Sequence, residues 1–372
     1  MIKKGNQYII NLSLIIIVLF ILFNILYLGA NLIIPFIIAL LFSFAIIGLS
    51  NFYKKFRLPS FVAFPLSLAT YIGIFWLIGK LIGNNIDELI NLLPLYQARI
   101  FDIYYQIFDY LNINEPTSLT EVLKQLNLQY IFSIVVSGFT SIFSKAGVIL
   151  FYVMFILLEY RFFKEKLYLM IVNNSQKIQI IETLEKIKTD VKSYFVIKTI
   201  VSFFTALFSY IIMLAFGLDF AIFWSMLVFI LNFIPNIGSI IAVLFPSILS
   251  LVQPGFTLYD STFMISGLIG IQVLMGNIIE PKFMGNRLNL SPLVIIISLG
   301  FWGTLWGIVG MLLSVPIMVI INIILAKMPV TRPIAILLSE KGELQIDDSD
   351  EVSKNRKKIL KSFKEKFGKI KK

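Results

Sequence analysis

Polar side chains that could act on a solute or an ion cluster at three places in the C-terminal half of the chain. In LNFIPNIGS, residues 231–239, the side chains of Asn232, Asn236 and Ser239 surround Pro235 and Gly238. Amides and hydroxyls of this kind can hydrogen-bond a hydrophilic cargo, or satisfy backbone groups that a proline releases. Pro235 lacks an N–H, so a helix running through it would leave a carbonyl near Leu231 free. In QVLMGNIIEP, residues 272–281, Gln272 and Asn277 precede Glu280 and Pro281. A carboxylate in a membrane segment is costly and by default marks an ion path or a paired charge. Lys282 and Arg287 are close enough in sequence to be its partners, so a pathway role and a structural ion pair both stay open for Glu280. The third place is Trp302 and Trp306, which share a face if that turn is helical. They suggest a gate or substrate wall, although interfacial anchoring is the usual role of tryptophan.

Other chemistry is excluded by what the chain lacks. It contains no cysteine and no histidine, which removes thiolate sites, His-containing triads and HExxH zinc sites. An intramembrane protease would need two aspartates within spans, or a serine with a base. Asp219 and Asp260, which border the C-terminal spans, both fall at predicted helix ends. The expectation is therefore no enzyme, no metal and no cofactor.

The elements that must position these residues are membrane helices. The chain is 58% hydrophobic and 14% charged, against roughly 45–50% and 25% in soluble proteins. Residues 5–53, 58–79, 220–259, 261–279 and 288–326 contain no Asp, Glu, Lys or Arg. About 20 apolar residues cross a bilayer core of about 30 Å, so the fold expected is an all-α polytopic membrane protein. Lysine and arginine set its orientation. Lys3 and Lys4 place the N-terminus in the cytoplasm, and helices near 8–28 and 31–49 return to Lys54, Lys55 and Arg57 on the same side. A third helix near 60–82 leads to an acidic, amphipathic external segment at 84–130. A fourth helix ends near Leu158, before a basic connector, and a fifth covers about 195–216. The expected units are thus 1–83, 84–130, 131–194, a core at 195–326 and a cytoplasmic tail at 327–372.

Two segments are too long for one crossing. Residues 220–252 would reach roughly 50 Å as one helix, and residues 291–326 roughly 54 Å. Each has a breaker near its middle, Pro235-Asn236-Ile237-Gly238 in the first and Trp302 to Gly307 in the second. Kinked overlong spans and re-entrant hairpins both fit. Charge favours hairpins, because they leave the acidic connection at 253–260 outside and the Lys282/Arg287 loop inside. Broken helices near the midplane are how many secondary transporters build their sites. Gly300, Gly303, Gly307 and Gly310 would let helices approach closely, and Gly285 would supply a turn with positive φ.

The stretch NFIPNIGSIIAVLFPSIL, then Gln272 and IIEPKFMGNRLNLSPLVIIISLGFWGTLWGIVGMLLSVPI, resembles the autoinducer-2 exporter family of bacterial integral membrane permeases. The upstream SYFVIKTIVSFFTALFSYIIMLAFGLDFAIFWSMLVFILN does too, so the resemblance is specific over 190–326 and loose before it. It implies about eight membrane segments, two of them broken or re-entrant, and export of a small hydrophilic molecule from the bacterial plasma membrane. Some relatives are implicated in sodium or proton exchange, and others are known as sporulation membrane proteins. Its motifs fall here on Pro235, Gly238, Pro246, Glu280, Pro281, Gly285, Pro292, Trp306, Gly307, Gly310 and Pro316. The function expected is a permease working by alternating access. A sodium/proton-type antiporter and a non-transporting scaffold are the alternatives.

Residues 354–372 carry ten Lys/Arg, and Ile359, Leu360, Phe363, Phe367 and Ile370 recur at helical spacing. This is a basic amphipathic helix suited to an anionic leaflet. The +11 charge otherwise follows the positive-inside pattern, so nucleic acid is not an expected partner. The expected partners are the bilayer, anionic lipid, a small solute and Na+ or H+; a homo-oligomer stays open. Both termini are expected in the cytoplasm.

Overall fold

The computed structural model describes residues 2–110, 144–170, 174–285 and 288–342. Among the described residues the regular elements are all helical: α1 (Ile2–Leu28), α2 (Ala30–Lys55), α3 (Ser60–Tyr110), α4 (Ala146–Met170), α5 (Asn174–Phe216), α6 (Ala221–Leu231) and α7 (Ile237–Val252). Then come α8 (Leu258–Gln272), a π-helical stretch (Val273–Ile279), α9 (Glu280–Met284), α10 (Pro292–Lys327) and α11 (Arg332–Leu338). Among the described residues, five stretches are long and apolar enough to cross a membrane: Ala30–Lys55, Ser60–Leu81, Ile180–Phe216, Leu258–Met284 and Pro292–Lys327. The basic tail helix at 354–372 and the second part of the external segment lie outside the described residues.

Both overlong segments double back. Trp224 of α6 stacks on Phe245 of α7, with ring centroids 6.0 Å apart and planes inclined by 17°. At the feet of this first hairpin, Gln253 donates from Nε2 to the Gly217 carbonyl (2.9 Å) and accepts at Oε1 from the Asp219 N–H (2.7 Å). The chain thus leaves the hairpin where it entered. In α10 the break is at Gly307, with φ 62° and ψ −144°. The arms on either side, 292–306 and 308–327, lie together: Asn322 Nδ2 is 3.5 Å from the Asn289 carbonyl, whereas one straight helix would hold them roughly 50 Å apart.

The two hairpins share one turn device. A Cβ on Gly238 would lie 1.8 Å from the Leu231 carbonyl oxygen, and one on Gly310 would lie 1.8 Å from that of Trp302. Only glycine lets the second arm pack on the first there. Gly303 approaches the Met311 side chain, whereas nothing lies within 4 Å of a Cβ on Gly300 or Gly307. Close approach is therefore the role of Gly238, Gly303 and Gly310 rather than of all the glycines, and Gly307 serves its positive φ. Gly285 also has positive φ, 52°. Pro246 and Pro316 are buried within their arms, and Pro292 opens α10 at its first position.

The hairpins are mounted on an antiparallel pair. Lys198 of α5 meets Glu280, and Ile212 of α5 meets Gly267 of α8, so numbering falls along one helix as it rises along the other. The feet of hairpin one, at 217–219 and 253, lie at one end of this pair. The feet of hairpin two, near Asn289 and Asn322, lie at the other. The chain therefore carries two helix-plus-hairpin units in opposite directions.

The boundary drawn at 83/84 lies inside the unbroken α3, and that at 194/195 inside the unbroken α5. Beyond Leu81, α3 continues along hairpin one. Ile78, Leu92 and Tyr96 join Leu218, Phe223, Trp224, Leu227, Leu249 and Met264 in one apolar cluster. The Tyr96 hydroxyl donates to Asp219 Oδ2 at 2.7 Å.

Candidate functional site

The polar centre of the described molecule is a stripe on α5. Tyr194, Lys198, Ser202, Thr205 and Ser209 recur every three or four residues and are all buried, whereas Ile200, Phe203, Phe204, Leu207, Phe208 and Ile211 on other faces are exposed. That is the periodicity of one helix face, here with the polar side turned inward. Thr205 satisfies its hydroxyl locally, donating to the Val201 carbonyl at 2.8 Å. The others are open to partners from neighbouring elements.

Two of those partners come from positions singled out in the sequence. Asn232, at the tip of hairpin one, donates from Nδ2 to Ser202 Oγ at 3.1 Å. One turn away, Lys198 Nζ lies 2.5 Å from Glu280 Oε1, with the side chains 5% and 18% exposed. Lys198 is thus the partner of Glu280 in the structure. Lys282 is exposed on its own helix, and Arg287 lies outside the described residues. The local pair expected from sequence is replaced because α9 turns the carboxylate inward onto α5.

The π-helical stretch produces that orientation. Its backbone bonds skip one residue more than in an α-helix, and Glu280 N–H donates to the Met275 carbonyl, five residues back. Glu280 consequently follows the buried face of Gln272 and Met275, where α-helical spacing would place Ile279. Pro281 has no N–H to give the next carbonyl in this register, that of Gly276. Single π turns inside helices often mark functional sites. Gln272 is buried on the same face, and neither its Oε1 nor its Nε2 has a hydrogen-bond partner; the Tyr194 hydroxyl is likewise buried and without one. Buried polar atoms of this kind normally pair with protein, water or ligand.

At the tip itself, Asn236 adopts φ 59° and ψ −58°, and the Ile237 N–H donates to the Pro235 carbonyl at 2.6 Å. This is a γ-turn of the rare positive-φ kind. Ser239 Oγ donates to the Asn236 carbonyl at 2.8 Å, so both groups are engaged within the turn. The Leu231 carbonyl is not released by Pro235: it accepts from the Ile234 N–H at 2.8 Å and is covered by Gly238. The chain has left the helix before the proline, so no interior hydrogen bond is lost there.

The structure therefore gathers Asn232 and Glu280 on α5, with Gln272 buried on the same helix pair. Asn236 is exposed at the tip, and Asn277 is exposed on the π stretch. Trp302 and Trp306 lie elsewhere. Their rings are 4.9 Å apart, on one face as the spacing requires. That face packs against Ile34 and the α1–α2 junction, where Trp306 Nε1–H donates to the Leu26 carbonyl at 2.9 Å. Lys198, Ser202, Tyr194 and Thr205 were not among the sequence candidates. Their signal is visible in SYFVIKTIVSFFTALFS, where Tyr194, Lys198, Ser202, Thr205 and Ser209 recur at helical spacing on one side, with Thr199 off that face.

Among the described residues, the all-helical architecture with several membrane-length apolar segments defines a multi-pass membrane protein. The sequence profile of the AI-2E family transporter matches residues 14–329, and the chain belongs to that family. It is 32% identical over 329 residues to the AI-2 transport protein TqsA of Escherichia coli, covering 84% of this chain and 90% of TqsA. Two relatives named "Putative transport protein" are 32% identical over 320 residues, in Haemophilus influenzae (84% of this chain, 91% of the relative), and 29% over 331 residues, in Borreliella burgdorferi (87% and 89%). The family likeness thus extends well upstream of 190–326. It identifies a bacterial membrane permease, a transporter rather than a catalyst.

Proposed function

We propose that the chain exports or exchanges a small hydrophilic solute by alternating access, at a site between the tip of hairpin one, the polar stripe of α5 and the π-helical stretch. The observation that carries this reading is the pair of contacts one turn apart on α5, Asn232 to Ser202 and Lys198 to Glu280. A hairpin tip resting on buried polar groups can uncover them by moving. TqsA is named for AI-2 transport, which makes AI-2 the first cargo to test. Both hairpins are taken as re-entrant. The 11 residues of α6 span roughly 16 Å, about half a bilayer core. Hairpin one then enters from outside, hairpin two from the cytoplasm, and both termini are cytoplasmic, with the basic tail on anionic lipid.

Because the chain contains no cysteine, single introduced cysteines report directly. An impermeant reagent added outside should label position 256 and not 286; the reverse would overturn the topology. In proteoliposomes loaded with AI-2, cysteines at 202, 205 and 209 should label in a solute-protectable manner, and those at 203, 207 and 211 should not react. Reaction of both sets alike, together with undiminished AI-2 efflux in Asn232→Ala and Ser202→Ala, would remove the site from this face of α5.

A further inference from the structure

The proposed site contains one positive and one negative group in contact, and little else that ionises. The arms of hairpin one, 221–252, and the whole of 288–326 carry no titratable side chain. Facing Glu280 from α5 are Lys198 and the phenol of Tyr194, and the charge on its own helix is the outward-facing Lys282. The remaining polar groups nearby are neutral amides and hydroxyls: Asn232, Ser202 and Gln272. Lys198 and Glu280 are both largely removed from solvent, so the local charge is balanced in a poorly screened environment.

Resting on the reading that this is the cargo site, we propose that Lys198 and Glu280 are its specificity determinants and select a cargo of zero net charge. A singly charged solute would bring an uncompensated charge into surroundings that already pair every one they hold, at a large desolvation penalty. An uncharged polyol adds none. A zwitterion also adds none, and it can give its carboxylate to Lys198 and its ammonium to Glu280, exchanging one ion contact for two. The unpartnered oxygen and nitrogen of Gln272 offer an acceptor and a donor to either kind of cargo.

The test compares four small solutes: erythritol, alanine, propylamine and propionate. Each is measured by flux into proteoliposomes and by thermal stabilisation of the purified protein. For the wild type, erythritol or alanine should exceed both charged solutes by about tenfold or more. Lys198→Met should shift preference toward propylamine, and Glu280→Gln toward propionate. Exchanging the charges, Lys198→Glu with Glu280→Lys, should restore the neutral order. If the single substitutions fail to fold, Lys198→Met with Glu280→Gln keeps the site neutral and should abolish any advantage of alanine over erythritol. A wild type that takes a charged solute as readily as its neutral counterparts overturns the proposal, as do folded single variants with unchanged order. Absence of flux for all four and for AI-2 would instead defeat the transport reading, and the ranking by thermal stabilisation would still decide the charge rule. No stabilisation by any of the four solutes, with AI-2 flux intact, overturns the charge rule alone.

Discussion

Replacing Gly238, the single glycine of residues 221–252, with alanine should destabilise the first hairpin. The added Cβ would lie 1.8 Å from the Leu231 carbonyl oxygen and 2.8 Å from its carbon, and 3.0 Å from Ile234 Cβ. Ordinary contact begins near 3.4 Å, so the arms must part by roughly 1.5 Å. The obstacle is backbone, which no rotamer change can clear. Overpacking of a fitted interior costs about 1–3 kcal/mol, and a backbone clash belongs at the top of that range. Gly310→Ala should behave alike, because its Cβ would lie 1.8 Å from the Trp302 carbonyl oxygen. The controls are Gly270→Ala and Gly300→Ala, helical positions where nothing lies within 4 Å. There alanine should gain about 0.5–1 kcal/mol from reduced backbone entropy. Thermal denaturation of the four purified variants in one detergent gives the comparison. Gly238→Ala as stable as Gly300→Ala would refute the arm-to-arm packing described for hairpin one.

Three further outcomes are expected. Lys198→Met should cost about 3–5 kcal/mol by leaving Glu280 buried without its partner, while Lys198→Met with Glu280→Gln should be far milder; strictly additive losses in a double-mutant cycle would show that the two groups do not interact. Tyr96→Phe should cost about 1–2 kcal/mol by removing the hydrogen bond to Asp219. Burial, and then that hydrogen bond, raise the Tyr96 phenol above its ordinary 10.0, so its contribution is complete below pH 10 and declines above it; alkaline melting curves of Tyr96→Phe should lack this component. Asn236→Gly should gain about 1 kcal/mol by relieving the positive-φ γ-turn, and an equal loss would mean that the asparagine is at ease there.

Several of these features can be read in the sequence because one residue type forces one geometry. Runs of 33 and 36 uncharged residues, interrupted by Pro235 and by Gly307, are too long for one straight crossing, and the structure folds each back on itself. The shared face of Trp302 and Trp306 follows from spacing alone. What that face meets does not, because Leu26 and Ile34 are about 270–280 positions upstream. Glu280 was legible as a costly charge, but its partner lies 82 residues earlier, and nearer bases in the sequence concealed it. Lys198 lay hidden for a related reason: it follows a basic connector and looks like its last member until the helix is seen to run unbroken from Asn174. Gly83-Asn84-Asn85 has the composition of a boundary, yet α3 continues through it. Burial of Leu92 and Tyr96 against hairpin one outweighs the weak helix propensity of those three residues.

The clasp at the feet of hairpin one has a mechanical corollary. Gln253 ties the entering and leaving strands of chain together at Gly217 and Asp219, so the clasp resists independent sliding of the arms, and any movement of the hairpin would be that of a stiff lever. Gly217 and Phe220, both at positive φ, flank the fulcrum. With an arm of about 16 Å, a swing of about 20° moves the tip by about 6 Å. Because the hairpin runs back along α5 from Gly217 to Ser202, that displacement is transverse to α5, and a rotation too small to disturb the clasp would lift Asn232 off the serine and uncover the buried stripe.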